Sequence, residues 1–269
     1  DIKYSKNYNS VLENPVMPGA KWFSGSEFNY AQNLLKGDPD QIAIISIGEN
    51  ISPKTLTFKE LNYRVSSVQR GLSKLGVKKG TIVAGFVPNC AETVISMLAV
   101  SSLGGVWTSC SPDFGANGVV DRFGQVNPHI LITSNGYSYN GKLFKLEEKV
   151  NGVLESIDSI RHIVEIEYVD IKSNFNHDSI ISFGDILNDE QKQPTFEQLP
   201  FDHPLFIMYS SGTTGPPKSI VHSAGGTLIQ HMKEHQLHCD IKAGKSKMFW
   251  FTTCGWICLL YTSDAADDA

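Results

Sequence analysis

The chain has 269 residues, of which 41% are hydrophobic and 19% charged, with a formal net charge of −5. That length and balance suit a globular core in one large or two ordinary domains and exclude a disordered chain. The acidic balance offers no general nucleic-acid or anionic-membrane surface, and five scattered cysteines without a Cys-x-x-Cys pair suit reduced thiols of the cytosol rather than a disulfide framework.

The chain opens DIKYSKNYNS, which has no apolar core and so is no signal peptide. It does not open with Met and reads as starting inside a longer protein. Residues 41–48 (QIAIISIG) read as a buried strand. Thr57 to Glu60 (TFKE) then matches a capping box, with hydroxyl and carboxylate set to satisfy free backbone N–H groups. Behind it Leu61, Val65, Val68, Leu72 and Leu75 fall on one face of an amphipathic helix that Gly76 ends.

Further along, a strand is expected at 81–88 and a helix at 91–103. Strands at 105–112 and 129–134 enclose a helix at 116–126, and strands follow at 162–169 and 205–210. A helix at 224–239 and a strand at 247–253 complete the series. The most apolar stretch, 93–107, is broken by Ser and Gly and is too short to span a bilayer. Strands alternating with helices of this length predict an α/β fold of mostly parallel sheets flanked by helices. The stretch 170–204, rich in Asn, Asp, Gln and Pro, reads as a long surface excursion or a partly irregular segment.

One loop carries chemistry. The run MYSSGTTGPPKSIVHS (208–223) places Ser210, Ser211, Gly212, Thr213, Thr214 and Gly215 behind a strand, then Pro-Pro and Lys218. At the carboxyl end of a strand in an open α/β sheet, such a turn sits where ligands bind. The glycines let backbone approach a guest, successive N–H groups form an anion-holding concavity, and Lys218 adds positive charge. Phosphate is the natural guest. Read from Gly212, GTTGPPKS misses the Walker A pattern at Pro217, and prolines supply none of the N–H groups that loop needs, which argues against a P-loop NTPase.

Two other readings compete downstream. HMKEH (231–235) fits an inverted zinc-protease order, with His231 and His235 on one helix face and His238 nearby, so a zinc hydrolase is a remote alternative. His222 either orients beside a nucleotide or caps the following helix.

YSSGTTGPPK (209–218) resembles the phosphate loop of the acyl-adenylate-forming, AMP-binding enzymes, whose usual form is Ser/Thr-Gly-Ser/Thr-Thr-Gly-x-Pro-Lys-Gly. The departure is Ser219 in place of Gly. LTFKEL (56–61) resembles that family's early helix-start motif, and WFSGSEFNYAQNLL (22–35) resembles the entry segment of the short-chain acyl-CoA synthetases. VWTSCSPDFGANGVVDRFGQVNP (106–128), IVHSAGGTLIQHMKEHQLH (220–238) and FTTCGW (251–256) are most similar to the acetoacetyl-CoA synthetase branch.

The resemblance implies the N-terminal part of the large domain of an adenylate-forming enzyme, with a leading segment at 1–36 and a partial adenylation domain at 37–257. It implies a ligase in which the acid attacks the α-phosphate of ATP and coenzyme A then displaces AMP, normally with Mg²⁺. The acid would be acetoacetate, or another short-chain acid such as acetate; a non-catalytic nucleotide-binding fragment is a further alternative. Ser210, Ser211, Gly212, Thr213, Thr214, Gly215 and Lys218 would bind the ATP phosphates, Lys218 acting catalytically, and Trp256 would wall the acid pocket or serve as an ordinary core residue. Trp107 reads as a packing residue at a strand end, and Asp113 after Pro112 as part of a turn. The final stretch, CLLYTSDAADDA (258–269), resembles a translated sequencing-library adapter and is expected to lie outside the fold.

Overall fold

The structure, a computed structural model, describes residues 2–187, 190–210, 215–242 and 245–246. The leading segment forms small antiparallel pieces. Strand β1 (Ser10–Glu13) pairs with β2 (Lys21–Ser24), and β3 (Glu27–Phe28) leads into helix α1 (Tyr30–Leu34), capped by the Asn29 side chain, which accepts from Gln32 N. Next come the hairpin β4 (Ile42–Gly48) and β5 (Ile51–Thr57), then α2 (Phe58–Lys74), β6 (Ile82–Phe86), α3 (Ala91–Ser102), β7 (Val106–Cys110), α4 (Ala116–Phe123) and β8 (Ile130–Ser134). A second hairpin, β9 (Gly136–Tyr139) and β10 (Lys142–Lys145), precedes α5 (Glu147–Ser156) and β11 (His162–Ile166). Short pieces β12 (Ile180–Ser182), α6 (Phe183–Ile186) and β13 (Leu199–Pro200) lead to β14 (Pro204–Tyr209), β15 (Ser219–Ser223) and α7 (Ala224–Met232), which runs into a π-helical turn over Lys233–His238.

Seven strands form one sheet in the order β12-β11-β8-β6-β7-β14-β15, parallel throughout except for the antiparallel edge strand β15. Side chains alternate across it with period two, as a sheet buried on both faces requires. On β6, Val83 joins the core under α2 and α3, while Ala84 and Phe86 join the core under α4 and α5. On β14, Phe206 and Met208 face the first core, Ile207 and Tyr209 the second. Each fully buried large side chain, such as Leu72 or Phe123, stabilises the fold by roughly 1.5–3 kcal/mol.

Helix α2 forms as its sequence dictates. Thr57 accepts from Glu60 N, Glu60 reaches back to Thr57 N, and Leu61, Val65, Val68 and Leu72 are buried. The mostly parallel sheet flanked by helices matches the expected fold class.

The structure corrects several local expectations. Residues 42–48 are a strand, but not a buried one: they pair antiparallel with β5 in a separate two-stranded sheet, leaving Ile42, Ile45 and Ile47 exposed. The Glu49–Asn50 turn, with Asn50 at φ 60°, folds the chain back before it can enter the main sheet. The helix expected at 224–239 is α-helical to Met232 only and π-helical after it. The stretch 170–204 is partly irregular, as one of its two readings has it, and contains the short β12, α6 and β13. The strand expected at 247–253, Trp256 and the stretch 258–269 lie outside the described residues, as do Ser211, Gly212, Thr213 and Thr214. No helix among the described residues is long and apolar enough to cross a membrane.

Candidate functional site

The loop 210–218 joins β14 to β15 at the carboxyl edge of the parallel strands. β14 holds that position through its neighbour β7: Phe206 pairs with Trp107 and Ile207 with Thr108. The Thr108 hydroxyl donates to Ile207 O at 2.8 Å and lies 3.0 Å from the Tyr209 hydroxyl, so the last residues of β14 are tied to β7 by side chains as well as backbone. Burial pushes the Tyr209 phenol above its usual range, keeping it a neutral hydrogen-bonding group.

The neck of the loop is closed by its two ends. Ser210 N donates to Lys218 O at 3.1 Å, and Lys218 N donates to Ser210 Oγ at 3.3 Å. Ser210 and Lys218 are therefore brought together, with the Ser210 hydroxyl engaged by backbone at the neck. Gly215 has φ 153°, a conformation L side chains rarely adopt, and among the described residues nothing stands within 4 Å of where its Cβ would be. Lys218 is exposed.

Two residues, one within α4 and one just after it, lie beside these elements. Arg122 lies 4.5 Å from the centroid of the Phe114 ring and donates from Nη1 to Gly118 O at 2.7 Å. Gln125, just past the end of α4, donates from Nε2 to Pro217 O at 2.8 Å and accepts at Oε1 from Ser219 Oγ at 2.8 Å. Sequence reasoning missed Gln125. It is separated from Pro217 by 92 positions, and no local pattern marks a polar residue after a helix as the partner of a distant loop.

The remaining candidates are placed as follows. Trp107 is 1% exposed, packs in the core and donates from Nε1 to Ser109 Oγ at 3.1 Å, consistent with packing at a strand end. Asp113 sits in a turn closed by Phe114 N to Ser111 O at 3.2 Å. His222 is buried on β15, where burial lowers its pKa; the cap of α7 is Ser223, which accepts from Gly226 N, so the helix-capping alternative for His222 is corrected.

Among the described residues His231 is engaged by other partners than a metal-ligand cluster. Its Nδ1 lies 3.0 Å from the Tyr30 hydroxyl, and its ring stacks on His235 at 5.9 Å and 20°. Among the described residues no group of three or more His, Cys, Asp or Glu side chains is placed to hold a metal. Burial, with smaller contributions from His235 and His222, pushes the His231 imidazole down to about 4.

The Ser-, Thr- and Gly-rich loop that ends in Lys218 thus lies at the carboxyl edge of the parallel strands, the edge at which open α/β sheets take their ligands. Residues 32–263 match the family of AMP-binding enzymes, and the chain belongs to it. It is 42% identical over 271 residues to the acetoacetyl-CoA synthetase of Xenopus tropicalis, covering 95% of this chain and 40% of that protein. It is 43% identical over 249 residues to the acetoacetyl-coenzyme A synthetase of Rhizobium meliloti (strain 1021), covering 92% of this chain and 38% of the relative. The solved acetoacetyl-CoA synthetase from Streptomyces lividans superposes with a TM-score of 0.91 at 39% identity, over 97% of this chain and 40% of that one. The chain thus spans about two fifths of the length of these relatives, and the resemblance drawn from the loop and the 106–128 segment is borne out.

Proposed function

We propose that the protein containing this chain is an AMP-forming acid–thiol ligase that activates acetoacetate as its acyl-adenylate and transfers it to coenzyme A. The observation that carries this reading is the Ser210–Lys218 loop at the carboxyl edge of the sheet, in a chain similar along nearly its whole length to acetoacetyl-CoA synthetases. The loop residues Ser210, Ser211, Gly212, Thr213, Thr214, Gly215 and Lys218 hold the ATP phosphates in this reading. Little covalent chemistry falls to the protein. The residues position acid and nucleotide and stabilise charge developing at phosphorus, with Lys218 as the electrostatic clamp.

Two observations support neighbouring parts of the proposal. The ends of the loop are tied to each other by the Ser210–Lys218 contacts and to β7 by the Thr108–Tyr209 anchor, which limits the ordering cost that falls on binding. Cys90, Cys110 and Cys239 are free thiols, which suits the cytosol proposed for the protein. Mg²⁺ is expected from the resemblance, but the described residues gather no acidic cluster for it, so no step is assigned to it. Trp256 is proposed as a wall of the acid pocket.

The test is acid-dependent pyrophosphate release by the full-length protein, measured with acetoacetate, acetate and other short-chain acids in parallel. Preference for acetoacetate, with AMP and the coenzyme A thioester as final products, supports the reading. Preference for acetate moves the specificity to another acid. ATP binding without pyrophosphate release under any acid refutes a ligase and leaves a nucleotide-binding module.

A further inference from the structure

We propose that Gln125 is a positioning residue for the phosphate loop, holding the Pro217 carbonyl before Lys218 and the Ser219 hydroxyl after it through one side-chain amide. The inference rests on the proposed role of Lys218 in ATP binding and adds a residue to it. The amide is used at both ends: its NH₂ donates to Pro217 O at 2.8 Å, and its oxygen accepts from Ser219 Oγ at 2.8 Å. These partners are the residues immediately before and after Lys218. A third contact, Nε2 to Asp121 O at 2.6 Å, ties the arm of Gln125 to the last turn of α4.

The chain around Lys218 has reason to need such a tie. Pro216 and Pro217 carry no backbone N–H, so this side of the loop lacks the donors with which a hairpin ladder would extend. The backbone pairing of β14 with β15 reaches Tyr209 and Ser219, and only the Ser210–Lys218 contacts lie beyond it among the described residues. A side chain supplied from α4 takes over where the ladder stops. The amide orientation is dictated by its partners, because Pro217 O accepts only and so takes the NH₂ end.

Ser219 supplies the hydroxyl that this arrangement uses. The loop motif that the sequence resembles has Gly at this position, and a glycine has no hydroxyl to donate to Gln125. Replacing Gly with Ser gives the segment after Lys218 a second point of attachment. Because the aliphatic arm of Lys218 starts between the two attachment points, a change in the backbone at 217–219 displaces its ammonium group from the phosphate.

The test uses the full-length protein carrying Gln125→Ala, Ser219→Ala, Lys218→Ala and the double change at 125 and 218. Gln125→Ala is expected to lower kcat/KM for ATP in acid-dependent pyrophosphate release by about two- to tenfold, the size of one or two hydrogen bonds, with the thermal midpoint unmoved. In the Lys218→Ala background the same substitution should have no further effect, since its target is gone. An equal loss in both backgrounds overturns the proposal, because Gln125 would then act on the fold or on another group. A second readout does not depend on activity: hydrogen exchange at the amides of Lys218 and Ser219 should quicken in Gln125→Ala and in Ser219→Ala. Unchanged exchange overturns the clamp even in an active enzyme. A wild-type protein that releases no pyrophosphate with any acid refutes the ligase reading, and the exchange measurement still decides the clamp.

Discussion

The indole of Trp107 lies against the α-carbon of Gly85, so close that a Cβ built on Gly85 would stand 2.5 Å from Cζ2 of the ring. The two residues sit on adjacent parallel strands, β7 and β6, and the indole is also held by the bond from Nε1 to Ser109 Oγ. A methyl group at position 85 must move either the ring or the strand, and close-packed interiors give little room for either. Gly85→Ala is expected to destabilise the protein by about 1–3 kcal/mol, seen as a lower denaturant midpoint with an unchanged slope. Shrinking the ring with Trp107→Phe should relieve part of that strain, making the pair of changes less costly than their sum.

The capping box of α2 gives a second prediction. Thr57 Oγ1 accepts from Glu60 N at 3.2 Å, and Glu60 Oε2 accepts from Thr57 N at 2.8 Å. That backbone bond, aided by the Thr57 hydroxyl, holds the Glu60 carboxyl below the usual range. Thr57→Ala should cost about 1 kcal/mol of stability, measured by chemical denaturation, because it exposes a free N–H at the helix start. In the same variant the Glu60 carboxyl, followed by NMR, should titrate higher.

The reading of α2 shows what the sequence makes legible. Its stripe of Leu61, Val65, Val68 and Leu72 and its capping box are both local patterns, and the structure realises both. Strands β6, β7 and β8 were equally plain, as short apolar runs between turns. Residues 42–48 misled because an apolar run does not say which partner it finds. That partner, β5, is a polar stretch containing Pro53, compatible with the edge of a small sheet but not recognisable as a strand by its pattern. The phosphate loop was legible because its chemistry is contiguous. The Gln125 contacts were not, because the fold alone brings that amide to Pro217 and Ser219.

Lys54 on β5 pairs with Glu92 on α3 at 2.7 Å and joins the small hairpin to the main body. Burial works against ionisation of Glu92, yet the hydrogen bond and charge of Lys54, with help from the backbone, hold its carboxyl below the usual range. A carboxyl with a lowered folded pKa stabilises the fold above its unfolded value of 4.5 and loses that contribution as the pH falls. Lys54→Ala leaves burial opposed only by the backbone and by Cys90. Glu92 should then titrate higher by carboxyl NMR, and the acid-side loss of stability should shrink while stability at neutral pH falls by about 1–3 kcal/mol.

His231 supplies a pH dependence of its own. Its imidazole is pushed from 6.5 to about 4, by burial first and then by His235 and His222. Within that window the unfolded chain binds a proton that the folded chain does not, so stability rises with pH. The contribution is complete above 6.5 and absent below about 4. His231→Gln keeps an acceptor for the Tyr30 hydroxyl, which lies 3.0 Å from Nδ1, but cannot titrate. Denaturant midpoints measured across the window should therefore rise less steeply in the variant than in the wild type. Equal slopes would place the titrating group elsewhere.

Lys218 carries the sharpest functional prediction. In the proposed reaction it is the cation of the loop, and the chain on both sides of it is tied down, by Ser210 at the neck and by Gln125 at Pro217 and Ser219. A preorganised charge aimed at a phosphate in a confined site is worth most in the transition state, where charge on the transferring group is redistributed. Lys218→Ala in the full-length protein should lower kcat for acid-dependent pyrophosphate release by about 10²–10³-fold. Because Lys218 is exposed and serves no core, the thermal midpoint should stay where it is. Lys218→Arg keeps the charge but spreads it over a planar fork that does not reproduce a compact ammonium, and it should restore only part of the rate. A wild-type rate in Lys218→Ala would remove the residue from the mechanism and shift the electrostatic work to another cation. A lost rate accompanied by a lowered thermal midpoint would instead mark Lys218 as a residue the loop needs in order to fold.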